Sequence, residues 1–237
     1  MKKKKKIAVI LAIAAVSVLG ASVTLALLTD VTEAKTNTFA SSQKIDILLR
    51  EPQWDGYQFK DIPGGDGTSA NPTIKDAALE NLGVNRAKEY LPGEIIQKDP
   101  QVKNSLDGVS VYTALKVEYY GMDTIKPITA AVFQADYLQP NGLVINDQWE
   151  RIADSTPTST SEYYLYKNIL KKGEDTSKTP LFSKVPIKLD ILTIDGKLPR
   201  FEIKVTAYAV QSEHLGNTPE QSMQEAKKQL LKLAGYK

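Results

Sequence analysis

Residues 109–120, VSVYTALKVEYY, decide the fold class. Val109, Val111, Thr113, Leu115, Val117 and Tyr119 fall on one side of an extended chain; Tyr112, Lys116 and Glu118 fall on the other. A period of two puts alternate side chains on opposite faces of a sheet, so the stretch is a strand with one buried face. Working outward, FEIKVTAYAVQ (201–211) repeats the pattern, with Phe201, Ile203, Val205, Ala207 and Ala209 set against Glu202, Lys204, Thr206 and Tyr208. EYYLYKNIL (162–170) is aromatic-rich and strand-like. Ile45, Ile47 and Leu49 alternate and stop at Glu51-Pro52, where proline cannot continue a ladder. IIQKDPQVKN (95–104) reads as a strand interrupted at Pro100, at an edge or a bulge.

ITAAVFQADYL (128–138) reads as another strand, and Asn141-Gly142 as a hairpin turn into LVINDQWERIA. LFSKVPIKLDIL and the Asp195-Gly196 turn complete the set. The tally is seven or eight strands at spacings typical of an antiparallel sandwich. No βαβ alternation is present, which argues against a nucleotide-binding sheet.

Two helices are expected. Thr218, Pro219 and Gln221 make a helix start with a capping hydroxyl, proline at the first position and a glutamine reaching back. The helix spans 218–234 and stops at Gly235; Met223, Ala226, Leu230 and Ala234 form a narrow apolar stripe for docking on the β body. Residues 53–90 are the least regular part and resemble an insertion, with a short helix over 74–90 from the spacing of Ile74, Ala77, Ala78 and Leu82. The loop PGGDGTSANP (63–72) lies within it. Asp61, Asp66 and Asn71 are weak calcium candidates: they offer oxygen ligands, but not at the spacing of an EF-hand, and such loops are usually solvated turns.

The N-terminus carries an address. Five lysines at 2–6 precede an apolar run from 7 to 28, the composition of a secretory signal. Thr24 and Ala26 occupy the −3 and −1 positions for cleavage between Ala26 and Leu27. The run is also long enough to span a bilayer, so a retained anchor with its lysines inside is the alternative. Residues 1–26 take five lysines and no acid from 30 basic and 28 acidic residues, leaving 25 against 28 and a net charge of −3. A chain of that charge has no electrostatic reason to bind nucleic acid. It contains no cysteine, so an exported form is held by its core rather than by disulfides. About 210 residues remain, enough for a single β-sandwich domain over 27–237.

No catalytic constellation stands out. His214 is the only histidine and sits in the polar linker SEHLGN; no HExxH, cysteine ligand or G-x-S-x-G elbow accompanies it. The plain reading is an exposed histidine, with no catalytic residue, no metal and no cofactor. Tyrosine dominates the aromatics, 11 against 5 Phe and 2 Trp. Tyr119-Tyr120 and Tyr163-Tyr164-Tyr166 suit either a glycan-stacking or subunit-contact surface or, more plainly, half-buried sandwich faces.

Several segments together resemble the TasA/camelysin family of Gram-positive exported proteins. TLALLTD followed by NTFASSQKIDILL is similar to that family's signal and mature start. EPQWD (51–55), LPGEIIQKDPQVKN (91–104) before VYTALKV, YYLYKNILKKGEDTSKTPLFSKVPI (163–187) and VTAYAVQSEH (205–214) follow in the family's order. Ser42 stands where the family usually has glycine before the first strand. The resemblance implies a jelly-roll-like β-sandwich, secreted to the cell surface or extracellular matrix after cleavage by a signal peptidase of the SipW type. In the TasA branch it implies biofilm-matrix fibres in which each subunit donates its N-terminal segment to the next as an extra strand. Here that arm is 27–42, whose apolar residues are Leu27, Leu28, Val31 and Phe39. The implied partners are other copies of the chain, the signal peptidase and further matrix or surface proteins, with the membrane met only through the signal. Two alternatives stay open: a camelysin-like metallopeptidase, which the absent zinc motif opposes, and a monomeric adhesin using its tyrosine faces or the 53–90 loop.

Overall fold

The computed structural model describes residues 44–61, 80–121, 126–153, 159–193 and 196–236, all within one compact unit spanning Gln43–Lys237. In chain order the elements are β1 (Ile47–Arg50), the one-turn helix α1 (Pro52–Asp55), the one-turn helix α2 (Gly83–Arg86) continued by a 3₁₀ turn (Ala87–Glu89), β2 (Ile95–Gln97), β3 (Gln101–Asn104) and β4 (Val111–Tyr120). Then come α3 (Ala130–Tyr137), β5 (Trp149–Arg151), β6 (Ser161–Tyr166), β7 (Lys184–Pro186), β8 (Glu202–Gln211) and α4 (Pro219–Leu233). The described chain is mainly β, and every ladder is antiparallel.

The largest sheet has the order β5–β6–β4–β8. β4 is its centre: Leu115 faces Tyr164 on β6 and Ala207 on β8, and Val117 faces Glu162 and Val205. The alternation along β4 sorts its residues into two separate cores. Val111, Leu115, Val117 and Tyr119 join the main core with Phe133, Leu181, Phe182 and Ile187. Tyr112 and Ala114 join a smaller core with Leu165, Val210, Ala226 and Leu230. The second core exists because α4 covers that face. Its stripe is the expected one: Ala226 and Leu230 are buried, Ala234 is buried and Met223 packs beside them. The Thr218 hydroxyl accepts from the Gln221 N–H at 3.2 Å, and the Gln221 amide oxygen accepts from the Asn217 N–H at 3.0 Å, so spare donors at the helix start are satisfied. The chain leaves the helix through Gly235 at φ 76°, where a side chain would be strained.

Two small sheets flank the large one, β1 with β3 and β2 with β7. Pro100 therefore marks more than an edge or bulge. β2 and β3 are consecutive but belong to different sheets, and the chain changes sheet at Lys98-Asp99-Pro100.

Some expectations need correction. Residues 128–138 are not a strand: Ala130–Tyr137 form α3, capped by the Thr129 hydroxyl, which accepts from the Val132 N–H at 3.2 Å. Alanine and glutamine favour helix, and the four-residue spacing of Phe133 and Tyr137 turns both rings to the main core. The Asn141-Gly142 turn forms, with the Gly142 N–H on the Gln139 carbonyl at 2.8 Å, but it joins a helix to an irregular segment rather than two strands. The expected helix over 74–90 is seen only as α2 and its 3₁₀ turn over 83–89; residues 62–79 lie outside the described set. β1 spans Ile47–Arg50, two residues later than the alternation suggests, with Lys44 in an isolated bridge to Gly108.

Candidate functional site

The described residues offer three arrangements that stand apart from ordinary packing. The first is a clasp between EPQWD and KDPQ. β1 is followed by Glu51, and Pro52 opens α1. The sheet change at Pro100 brings Lys98 and Asp99 beneath that turn. Lys98 Nζ donates to Glu51 Oε2 at 2.6 Å and lies 4.8 Å from the centre of the Trp54 ring. Both charges of the pair are largely sealed from water, with side-chain exposures of 8% and 14%. Asp99, 1% exposed, accepts from the Gln53 N–H at 2.8 Å and from the Gln101 amide at 2.6 Å. Burial first, and the nearby Glu51 and Asp55 carboxylates after it, push Asp99 up to about 6 against the hydrogen bonds from Gln53 and Gln101. Burial also raises Asp55. Gly83 closes the arrangement. A Cβ there would sit 1.9 Å from the Gln97 carbonyl oxygen and 2.7 Å from the Trp54 ring, so only glycine lets α2 approach.

The second is a buried polar knot in the main core. Glu162 on β6 is 6% exposed and accepts from the Tyr119 hydroxyl at 2.6 Å and the Tyr164 hydroxyl at 3.1 Å. Arg151 on β5 forms an ion pair with Glu162 and donates to the Tyr164 hydroxyl at 2.9 Å. Burial first, then the Glu162 charge, push Tyr164 up to about 12 and Tyr119 well above its usual range. The carboxylate is thus satisfied from three sides, as a buried charge must be.

The third is an edge. β8 runs ten residues and, among the described residues, pairs only with β4, as β1 pairs only with β3. β1 lies alongside β8, yet no ladder joins them among the described residues. Such an edge presents unpaired N–H and C=O groups to any extended segment that reaches it.

Of the residues singled out from sequence, Tyr119, Tyr163, Tyr164 and Tyr166 are buried and Tyr120 half-buried, which is the arrangement of packed sheet faces rather than a stacking surface. His214 is exposed, at φ 60°. Asp61 caps a local turn, accepting from the Gln58 N–H at 2.8 Å. Asp66 and Asn71 lie outside the described residues, as do Ala26, Leu27, Leu28, Val31 and Phe39. Among the described residues no group of three or more His, Cys, Asp or Glu is placed to hold a metal ion. No described helix is long and apolar enough to cross a membrane. A groove of about 710 Å³ runs between Gly93, the end of α3 and Leu189. Two of its polar side chains are already committed: Lys188 Nζ to the Ala135 carbonyl at 2.8 Å, and the Gln139 amide to the Gly93 carbonyl at 3.3 Å.

Neither the clasp nor the Glu162 knot is visible from sequence reasoning. The carboxylates look alike there, and only pairing across the fold distinguishes them. The one local signal is the charged pair Lys98-Asp99 placed directly at a strand break. No protein-family model and no curated protein matches the chain.

Proposed function

We propose that the chain is an exported structural subunit of a cell-surface or biofilm-matrix fibre, of the TasA/camelysin type. Its sandwich, jelly-roll-like in this reading, is completed by a strand from a neighbouring copy. The observation that carries the reading is the edge of β8 beside the edge of β1, each without a further ladder among the described residues. Strand addition to such an edge draws affinity from backbone hydrogen bonds and register from alternating pockets. Residues 27–42, released by cleavage after Ala26, are the segment that occupies a neighbour's edge. The segment order that resembles the family supports the same reading, as does an apolar leader behind five lysines.

The test compares purified residues 27–237 with residues 43–237 by electron microscopy and light scattering. Fibres from the longer form alone are the expected result. Identical fibres from both, or none from either, would refute donor-strand assembly.

A further inference from the structure

The geometry points to Asp99 as an acid-tightened latch that holds residues 51–57 onto the sheet change at 98–101, and that loosens as the carboxylate ionises. This device is independent of fibre assembly. It rests on how the clasp is built. One buried ammonium, Lys98, is spent on Glu51 at 2.6 Å. Among the described residues Asp99 has only neutral donors, the Gln53 N–H and the Gln101 amide. The charges around it are unfavourable: Glu51 and Asp55 from the turn above raise it, and neither of the clasp's nearby cations is aimed at it. Arg50 donates to the Leu49 and Asp61 carbonyls. On α2, Arg86 is turned to Glu94, with Nε 2.7 Å from the carboxylate. Among the described residues an ionised Asp99 is therefore a buried charge with no counter-ion of its own. A protonated Asp99 keeps the Gln53 bond and can donate to the Gln101 side-chain carbonyl once that amide turns over.

The sign follows from linkage. In the opened segment Asp99 meets water and returns towards its ordinary value of 3.8; in the closed clasp it stands at about 6. Closure therefore takes up a proton, and opening releases one. The open-to-closed ratio rises with pH between those two values and levels above the upper one. Each pH unit in that window is worth up to about tenfold.

The structure also supplies the reporter. The N–H groups of Trp54 and Asp55 donate to the Glu51 carbonyl, that of Gly56 to the Pro52 carbonyl and that of Tyr57 to Asp55 Oδ1. The Gln53 N–H loses its partner when the segment lifts; the other bonds lie within the segment, and a single helical turn is too short to persist once it is detached. Hydrogen exchange of the peptide covering 52–58 in the full mature chain, corrected for intrinsic rates, is the measurement. Between pH 4 and pH 7 the corrected exchange should rise by about tenfold or more, while β4 peptides stay unchanged. Asp99→Asn, neutral at every pH, should remove most of that rise, with Asp55, itself raised by burial, leaving a remainder; Asp55→Asn should keep most of it. Three results would overturn the proposal: a wild-type profile flat across the range, an Asp99→Asn profile with the wild-type slope, or a slope lost in Asp55→Asn but kept in Asp99→Asn. A flat wild-type series overturns the proposal even if the Asp99→Asn variant is poorly folded.

Discussion

β4 and β8 are both ten residues long, both alternate in sequence, and pair with each other along their whole length. Their fates differ. β4 has a neighbour on each edge and a core on each face, and its first five residues are all buried. β8 has one neighbour among the described residues, and all but Val210 of its residues keep some exposure. The alternation decides which way side chains point; the place in the sheet decides how much each contributes. A strand in the β8 position can exchange or gain partners at little cost, whereas β4 cannot.

The widest gap should appear in the cores of the two strands. Leu115→Ala removes a side chain with no exposure and should cost about 2–5 kcal/mol in urea unfolding. Val205→Ala, its half-buried counterpart near the register on β8, should cost about 1 kcal/mol. Equal losses would break the contrast between centre and edge.

A smaller effect should come from the polar knot that β4 shares with its other neighbour. Glu162→Gln leaves the Arg151 guanidinium without its carboxylate and should cost about 1–3 kcal/mol. The same knot has an alkaline signature. Tyr164 ionises near 10 when unfolded and at about 12 when folded, through burial and then the Glu162 charge. Its contribution is therefore full below pH 10 and is lost as pH rises towards 12. Tyr164→Phe should flatten that part of the decline, read by thermal melts across the range. A loss of the same small size as Val205→Ala, about 1 kcal/mol, should come from Thr218→Ala, because it weakens only the start of the helix that covers the second face of β4.

The legible parts of this chain share a cause. β4, β8 and α4 carry long periodic patterns with clear ends: Gly121 and Ser212 beyond the strands, Thr218 and Gly235 around the helix. The 128–138 stretch misleads because a short apolar run has no decisive period. Its alanines favour helix locally, but only contact of Phe133 with Tyr119, Tyr137 and Phe201 settles which way it coils. Asn141-Gly142 holds as a turn but not as a hairpin, since a turn dipeptide specifies its own backbone and not its flanks. The interruption at Pro100 is visible in the sequence; that the halves join different sheets is not, because pairing partners sit far away in the chain.

By itself the order of residues set the local facts: that 111–120 and 202–211 extend, where α4 begins and stops, where proline breaks a ladder, and that an apolar run follows five lysines. These depend on neighbours within a few positions, where backbone geometry and side-chain period act directly. Tertiary structure alone decided that Lys98 meets Glu51, that Asp99 is buried, that Glu162 gathers two phenols and a guanidinium, and that β8 lies at the end of the sheet among the described residues. Burial and pairing are properties of distant segments brought together, and no short window of sequence carries them.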